Sequence, residues 1–206
     1  MSILEKLSHA RGRRDDTPNK QLAKELAETH NERGIKEIAL NLYNDNNKIH
    51  SDCIKVLYEI GYINPELISD YAFDFITLLK HRNNRMVWGA MIALSTVAET
   101  AAHIIFSHLD AVQKVLQNGS VITADNAIKT LARVASSHAA YHKTIFPLLL
   151  DHLKTCRPKE IPLHAEFTAI AVTPQNKAVF TDILKKRMDI LSPSQQKRIL
   201  KLINKI

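Results

Sequence analysis

The chain is poor in the residues that break or cross-link a fold. Its 206 residues include five glycines, seven prolines and two cysteines. So few turn formers exclude an all-β protein, whose many short strands need frequent Gly- and Pro-rich turns. Cys53 and Cys156 are far apart and show neither a CxxC pair nor a Cys/His spacing suited to a metal. No disulfide framework is expected, and the expected location is the reducing cytoplasm. No apolar run approaches the roughly 20 residues that span a membrane. The opening "MSILEKLSHARGRRDD" lacks the apolar core and cleavage site of a signal peptide. Catalytic signatures are missing as well: there is no Gly-rich phosphate loop, GxSxG or redox CxxC. Neither an enzymatic activity nor a cofactor is expected.

A one-sided charge distribution is also lacking, although the net charge is +7. Between Gln21 and Phe180 there are 16 basic and 16 acidic residues. Residues 1–20 hold 5 basic and 3 acidic residues, and residues 181–206 hold 7 and 2. The basic character therefore belongs to the two ends, which argues against a basic groove along the whole chain.

What the sequence does have is periodicity. Leu42, Leu79, Leu116 and Leu153 recur every 37 residues, as do Ile38, Phe75, Val112 and Leu149, and Ile35, Ala72, Leu109 and Phe146. Three further columns are Ile54/Met91/Ile128, Leu57/Leu94/Leu131 and Ile60/Val97/Val134. Within each unit the apolar residues step by three and four, as on one face of a helix. Each unit reads as a helical hairpin whose turn is polar: "NDNN" (44–47), "HRNN" (81–84), "QNGS" (117–120) and "CRPK" (156–159). Helices are expected near 18–32, 35–43, 48–62, 65–80, 85–99, 102–117, 122–136, 139–154, 160–172, 175–189 and 194–204. Residues 1–16 are expected to be a flexible tail and 17–206 a single repeat domain, with strict register lost after Cys156.

The stretches "LYNDNNKIHSDCIKVLYEIG" (42–61) and "LKHRNNRMVWGAMIALSTVA" (79–98) resemble HEAT repeats, the helical hairpins of armadillo-type superhelices. The similarity covers roughly residues 34–172. It implies an all-α fold, a right-handed α-α superhelix (solenoid) of about five hairpins, with the second helix of each hairpin lining a concave docking face. The arginine that the family often carries near the start of that helix is absent from units 1–3, where His50-Ser51, Val87-Trp88 and Ala124-Asp125 stand instead.

In the second unit, Val87, Ala90, Met91, Leu94 and Ala98 share one helical face and are expected in the core. Arg85, Trp88, Ile92 and Glu99 fall on the opposite or flanking face, alongside Lys48, Ser51, Lys55 and Tyr62 one repeat earlier and Ile122, Asp125, Lys129 and Ser136 one repeat later. Lys55, Arg85, Trp88, Ile92, Asp125 and Lys129 are therefore the candidate partner-binding residues. An exposed indole among charges can clamp a peptide or stack on a base. The other reading of Trp88 is a wedge between neighbouring helices.

Two weaker candidates remain. His138 and His142 are spaced i,i+4, as in zinc-binding helices, but lack an evident third ligand and more simply open a helix. The ten histidines show no cluster. On the last helix Lys197, Arg198, Lys201 and Lys205 form a basic stripe that could contact phosphate, with Ile199, Leu200, Leu202 and Ile203 as the buried side. The expected function is a non-catalytic scaffold that binds a protein or peptide. The alternative is nucleic-acid binding, as in the HEAT-like alkylpurine DNA glycosylases; the chain lacks their Trp-Trp pair and Trp-x-x-x-Asp, since Ile92 follows Trp88 at that offset.

Overall fold

A computed structural model describes residues 2–206. These described residues form twelve α-helices: α1 Thr17–Glu28, α2 Glu32–Leu40, α3 Asn47–Ile63, α4 Ala72–Leu78, α5 Asn84–Thr96, α6 Ala102–Ser107, α7 Leu109–Asn118, α8 Val121–Ser137, α9 Ala139–Thr155, α10 Ile161–Thr168, α11 Lys177–Lys186 and α12 Pro193–Lys205. Short 3₁₀ segments extend several of them, and no strand occurs among the described residues. The chain divides into two compact units between Asn126 and Ala127, inside α8.

Polar turns start these helices in the manner the sequence suggests. Asn46 and Asn83, 37 residues apart in equivalent turns, each place Oδ1 on a backbone N–H of the next helix, Lys48 at 3.0 Å and Arg85 at 2.9 Å. Each bond satisfies a donor that the first helical turn leaves unpaired. Asn31, Asn64 and Ser192 do the same for the segments they open.

The apolar columns form the core. Ile38, Phe75, Val112 and Leu149 are all fully buried, as are Ile54, Met91, Ile128, Leu57, Leu94, Ile60, Val97 and Val134. Only Leu109 and Leu116 among the six columns remain partly accessible. In the first unit α1, α3 and α5 pack side by side, with α2 and α4 behind them. Gly89 brings α5 onto Ile54, which would lie 2.9 Å from any added Cβ. In the second unit α9 packs on α10 and α11, and α10 on α12.

Four expectations need correction. Residues 2–16 are packed rather than free: Leu7 is buried, Ser8 N–H donates to Asn19 Oδ1 (2.9 Å), and His9 N–H donates to Asp52 Oδ2 (2.8 Å). Aperiodic residues carried no sequence signal for this docking. The helix expected over 102–117 breaks at His108, whose φ of −121° ends α6 before α7 begins. The one expected over 65–80 starts as a 3₁₀ segment, Pro65–Tyr71. On α12 only Ile199 is buried, while Leu200 is exposed, because among the described residues α12 packs chiefly on α10 alone.

Candidate functional site

The packing of α3 against α1 and α5 decides the fate of the predicted binding residues. Lys55 is buried, not open. Its Nζ lies 2.5 Å from Glu59 Oε1, 3.6 Å from Asp16 Oδ2, and 4.6 Å from the Tyr58 ring centroid. Burial works against its charge, but Glu59 and Tyr58 together outweigh that cost and raise its pKa. Ile92 is also buried, at 8% exposure, so it belongs to the core and not to a contact surface. Both miss the face for the same reason: neighbouring helices approach closely enough to cover the flank of each residue as well as its inner side.

Arg85 and Trp88 keep part of their surface. Arg85 is exposed and reaches Asp16 at 3.7 Å. Trp88 is half-buried, its ring 6.3 Å from that of Tyr58 and tilted 54° to it. Tyr58 in turn meets Tyr62 edge-on at 6.1 Å, and Tyr62 is 54% exposed. One side of the indole faces Tyr58 on the neighbouring helix and the rest is accessible. The aromatic ledge Tyr62–Tyr58–Trp88 is a contiguous feature of α3 and α5 that a residue-by-residue comparison across repeats overlooks, since Tyr58 and Trp88 are 30 positions apart, not 37.

Beside this ledge the N-terminal segment crosses the starts of α3 and α5. Asn19 Nδ2 and the His9 amide hold the two oxygens of buried Asp52. A polar cleft of about 370 Å³ opens there, with Arg13, Arg14, Lys48, Asp52 and Arg85 in its lining. Asp15 at its rim accepts bonds from Thr17 and Arg13, which hold its carboxyl well below the usual range. Asp125 and Lys129 are half-buried on α8, one on each side of the division between the units. Burial, with repulsion from Arg133, lowers the pKa of Lys129.

The basic stripe of α12 is partly committed. Arg198 makes a bidentate pair with Glu166 at 2.5 Å through both Nε and Nη2, leaving Lys197, Lys201 and Lys205 as exposed lysines. His138 caps α9, its Nδ1 accepting from the Ala140 amide at 3.1 Å. His142 Nε2 lies 2.9 Å from the Ala171 carbonyl and its ring stacks on Phe146. This i,i+4 pair is therefore helix-opening and packing chemistry, not a ligand pair.

A different histidine cluster emerges, which the sequence spacing did not suggest. His152 and Cys156, one turn apart at the end of α9, meet His164 from α10. Their ligand atoms all lie within 4.8 Å of one another. His152 Nε2 and His164 Nδ1 are 2.8 Å apart. Burial, followed by the neighbouring His164, pushes His152 down to about 4, and burial pushes the Cys156 thiol up to about 11. The expectation that Cys156 has no Cys/His partner is thereby corrected: His152 precedes it by one helical turn, a step that the sequence reading passed over. The return of His164 across a turn where repeat register is lost carried no sequence signal.

No family model and no curated protein sequence matches the chain. Solved structures do. An engineered protein from a structural genomics consortium superposes at TM-score 0.67 with 18% identity over 99% of this chain and 96% of its own. A designed armadillo repeat protein in complex with the peptide (KR)4 gives TM-score 0.70 with 14% identity, covering 97% and 91%. The fold is that of armadillo and HEAT repeats. A mutant of the karyopherin Kap121p also matches, at TM-score 0.65 and 17% identity, with 97% of this chain lying on 22% of that one. The armadillo/HEAT assignment accounts for the helical hairpins and their buried columns, and at these identities it concerns architecture alone. Among the described residues no helix is long and apolar enough to cross a membrane.

Proposed function

We propose that the protein is a non-catalytic repeat scaffold that docks a peptide segment of a partner protein on the face formed by α3 and α5. The observation that carries this reading is the half-open Trp88 on the Tyr58–Tyr62 ledge, with exposed Arg85 one turn away and Lys48 at the start of the adjacent helix. Tryptophan and arginine are the residue types that concentrate binding energy at interfaces. The rigid backbone beneath them, built from buried Met91, Leu94, Ile54 and Leu57, holds them in place without an ordering cost on binding. The armadillo architecture supports the same reading, since a designed member of that class is described in complex with a peptide. A ligand suited to this face pairs an apolar or aromatic side chain, laid on the ledge, with a carboxylate for Arg85 and Lys48. Lys55, Ile92, Asp125 and Lys129 take supporting places in the scaffold.

Trp88 is the sole tryptophan, so its fluorescence reports occupancy directly. Peptides selected by display on the intact protein should shift the Trp88 emission and shield it from acrylamide. Binding of the same labelled peptides, read by anisotropy, should weaken about 30-fold in either Trp88→Ala or Arg85→Ala, the effect of a ~2 kcal/mol hot spot. The melting curves of both variants should stay close to that of the parent. Peptides that bind both variants as tightly as the parent would remove the ledge as the site.

A further inference from the structure

The second unit carries a cluster independent of the docking face. His152 sits in the last turn of α9, and Cys156 follows as its C-cap, one helical turn on. The chain then turns through Arg157 and Pro158, and α10 brings fully buried His164 back onto the pair. Cys156 is buried and His152 half-buried, so the three donors converge in a pocket largely closed to solvent. One sulfur and two imidazole nitrogens are a donor set that zinc favours, in tetrahedral sites that can use three protein ligands and leave a fourth position open. Zinc–ligand bonds of about 2.0–2.3 Å place donors some 3.3–3.7 Å apart. The two nitrogens, now 2.8 Å apart and sharing a proton, need only separate slightly, while the sulfur moves inward.

The surroundings are those of a supported site. The Arg187 guanidinium donates to the carbonyls of Leu153 (2.9 Å) and Cys156 (2.7 Å), fixing the end of α9 and setting a positive charge beside the sulfur. The Glu160 carboxylate, anchored by the Arg157 amide (3.1 Å) and Nε (2.9 Å), lies close enough to interact with His152, Cys156 and His164 alike. A carboxylate at that place balances part of a bound cation's charge.

We propose that His152 Nε2, Cys156 Sγ and His164 Nδ1 bind a zinc-class divalent cation that clamps α9 to α10. On binding, the shared N–H proton passes to the far nitrogen of its own ring, and the thiol proton leaves to solvent. Each bound metal therefore releases one proton when both histidines start neutral.

Cobalt(II) added to the intact, EDTA-treated protein tests this. A single equivalent should give the intense d–d absorption of a tetrahedral centre together with a thiolate-to-cobalt charge-transfer band, and zinc should displace both. Cys156→Ser should abolish the charge-transfer band while Cys53→Ser keeps it. Glu160→Gln should weaken binding about tenfold. Should His152→Gln or Cys156→Ser fail to fold, the parent itself remains decisive through its cobalt spectrum and through a zinc-dependent rise in melting temperature. A parent spectrum without tetrahedral cobalt bands, or bands that survive loss of Cys156, would overturn the assignment and leave the cluster as a hydrogen-bonded packing contact.

Discussion

His50 shows how one side chain ties a turn to the next repeat. Its Nδ1–H donates to the Asn44 carbonyl at 3.1 Å, and its Nε2 accepts from Asn83 Nδ2 at 3.4 Å, while the ring meets His81 edge-on. Only the neutral imidazole can serve both bonds, because an imidazolium has no acceptor nitrogen. Burial, with His81 as a further repulsive neighbour, depresses the His50 pKa below its ordinary 6.5 despite the Asn44 bond. A base with a depressed folded pKa favours the fold above its unfolded pKa and withdraws that support as pH falls. Urea midpoints should therefore drop as pH is lowered from about 7.5 towards 5.5, and His50→Gln should flatten that slope. A variant slope matching the parent's would show that His50 does not titrate with unfolding. Sequence alone marked His50 only as the residue standing where the repeat family often has arginine. Its partners, Asn44 and Asn83, lie in two different turns and share no periodic position with it.

At the scale of elements, α9 contains a conspicuous irregularity. Pro147 lies in its interior, exposed, where it cannot donate to the carbonyl one turn back and its ring crowds that carbonyl. The helix persists because Ile145, Phe146, Leu149, Leu150 and Leu153 are buried around it. Pro147→Ala should raise stability by about 1–3 kcal/mol, the interior proline cost less the entropy that proline removes from the unfolded chain. Chemical denaturation at constant m-value would measure it, and an unchanged or lowered midpoint would mean that α9 already relaxes around the ring. Helix existence was legible throughout because burial enforces the three-four apolar rhythm. The break at His108 and the 3₁₀ start at Pro65 were not, since both leave that rhythm intact while changing only backbone hydrogen bonds. The accessibility of the expected partner-binding set was legible only in part, for a related reason. Periodicity separates core from flank on one helix, as for Met91 and Trp88, but is blind to how deeply a neighbouring helix covers the flank, which is what buries Lys55 and Ile92.

For the molecule as a whole, the distribution of burial is uneven. In α3 every residue from His50 to Tyr58 is buried, hemmed in by α1, α5, α2 and the docked N-terminal segment, whereas α12 buries Ile199 alone. In repeat proteins each helix owes its stability mainly to its immediate neighbours. Opening free energies should follow that inequality, from near zero at sparsely covered ends to the global value in enclosed helices. Amide hydrogen exchange read by mass spectrometry should find α3 protected longest and α12 exchanging first, by orders of magnitude in rate. Equal protection of the two would mean that the chain opens only as one cooperative body. The enclosure of α3 thus also sets a clock: deuterium reaching its amides measures how often the first unit comes fully apart, while deuterium in α12 records only local fraying.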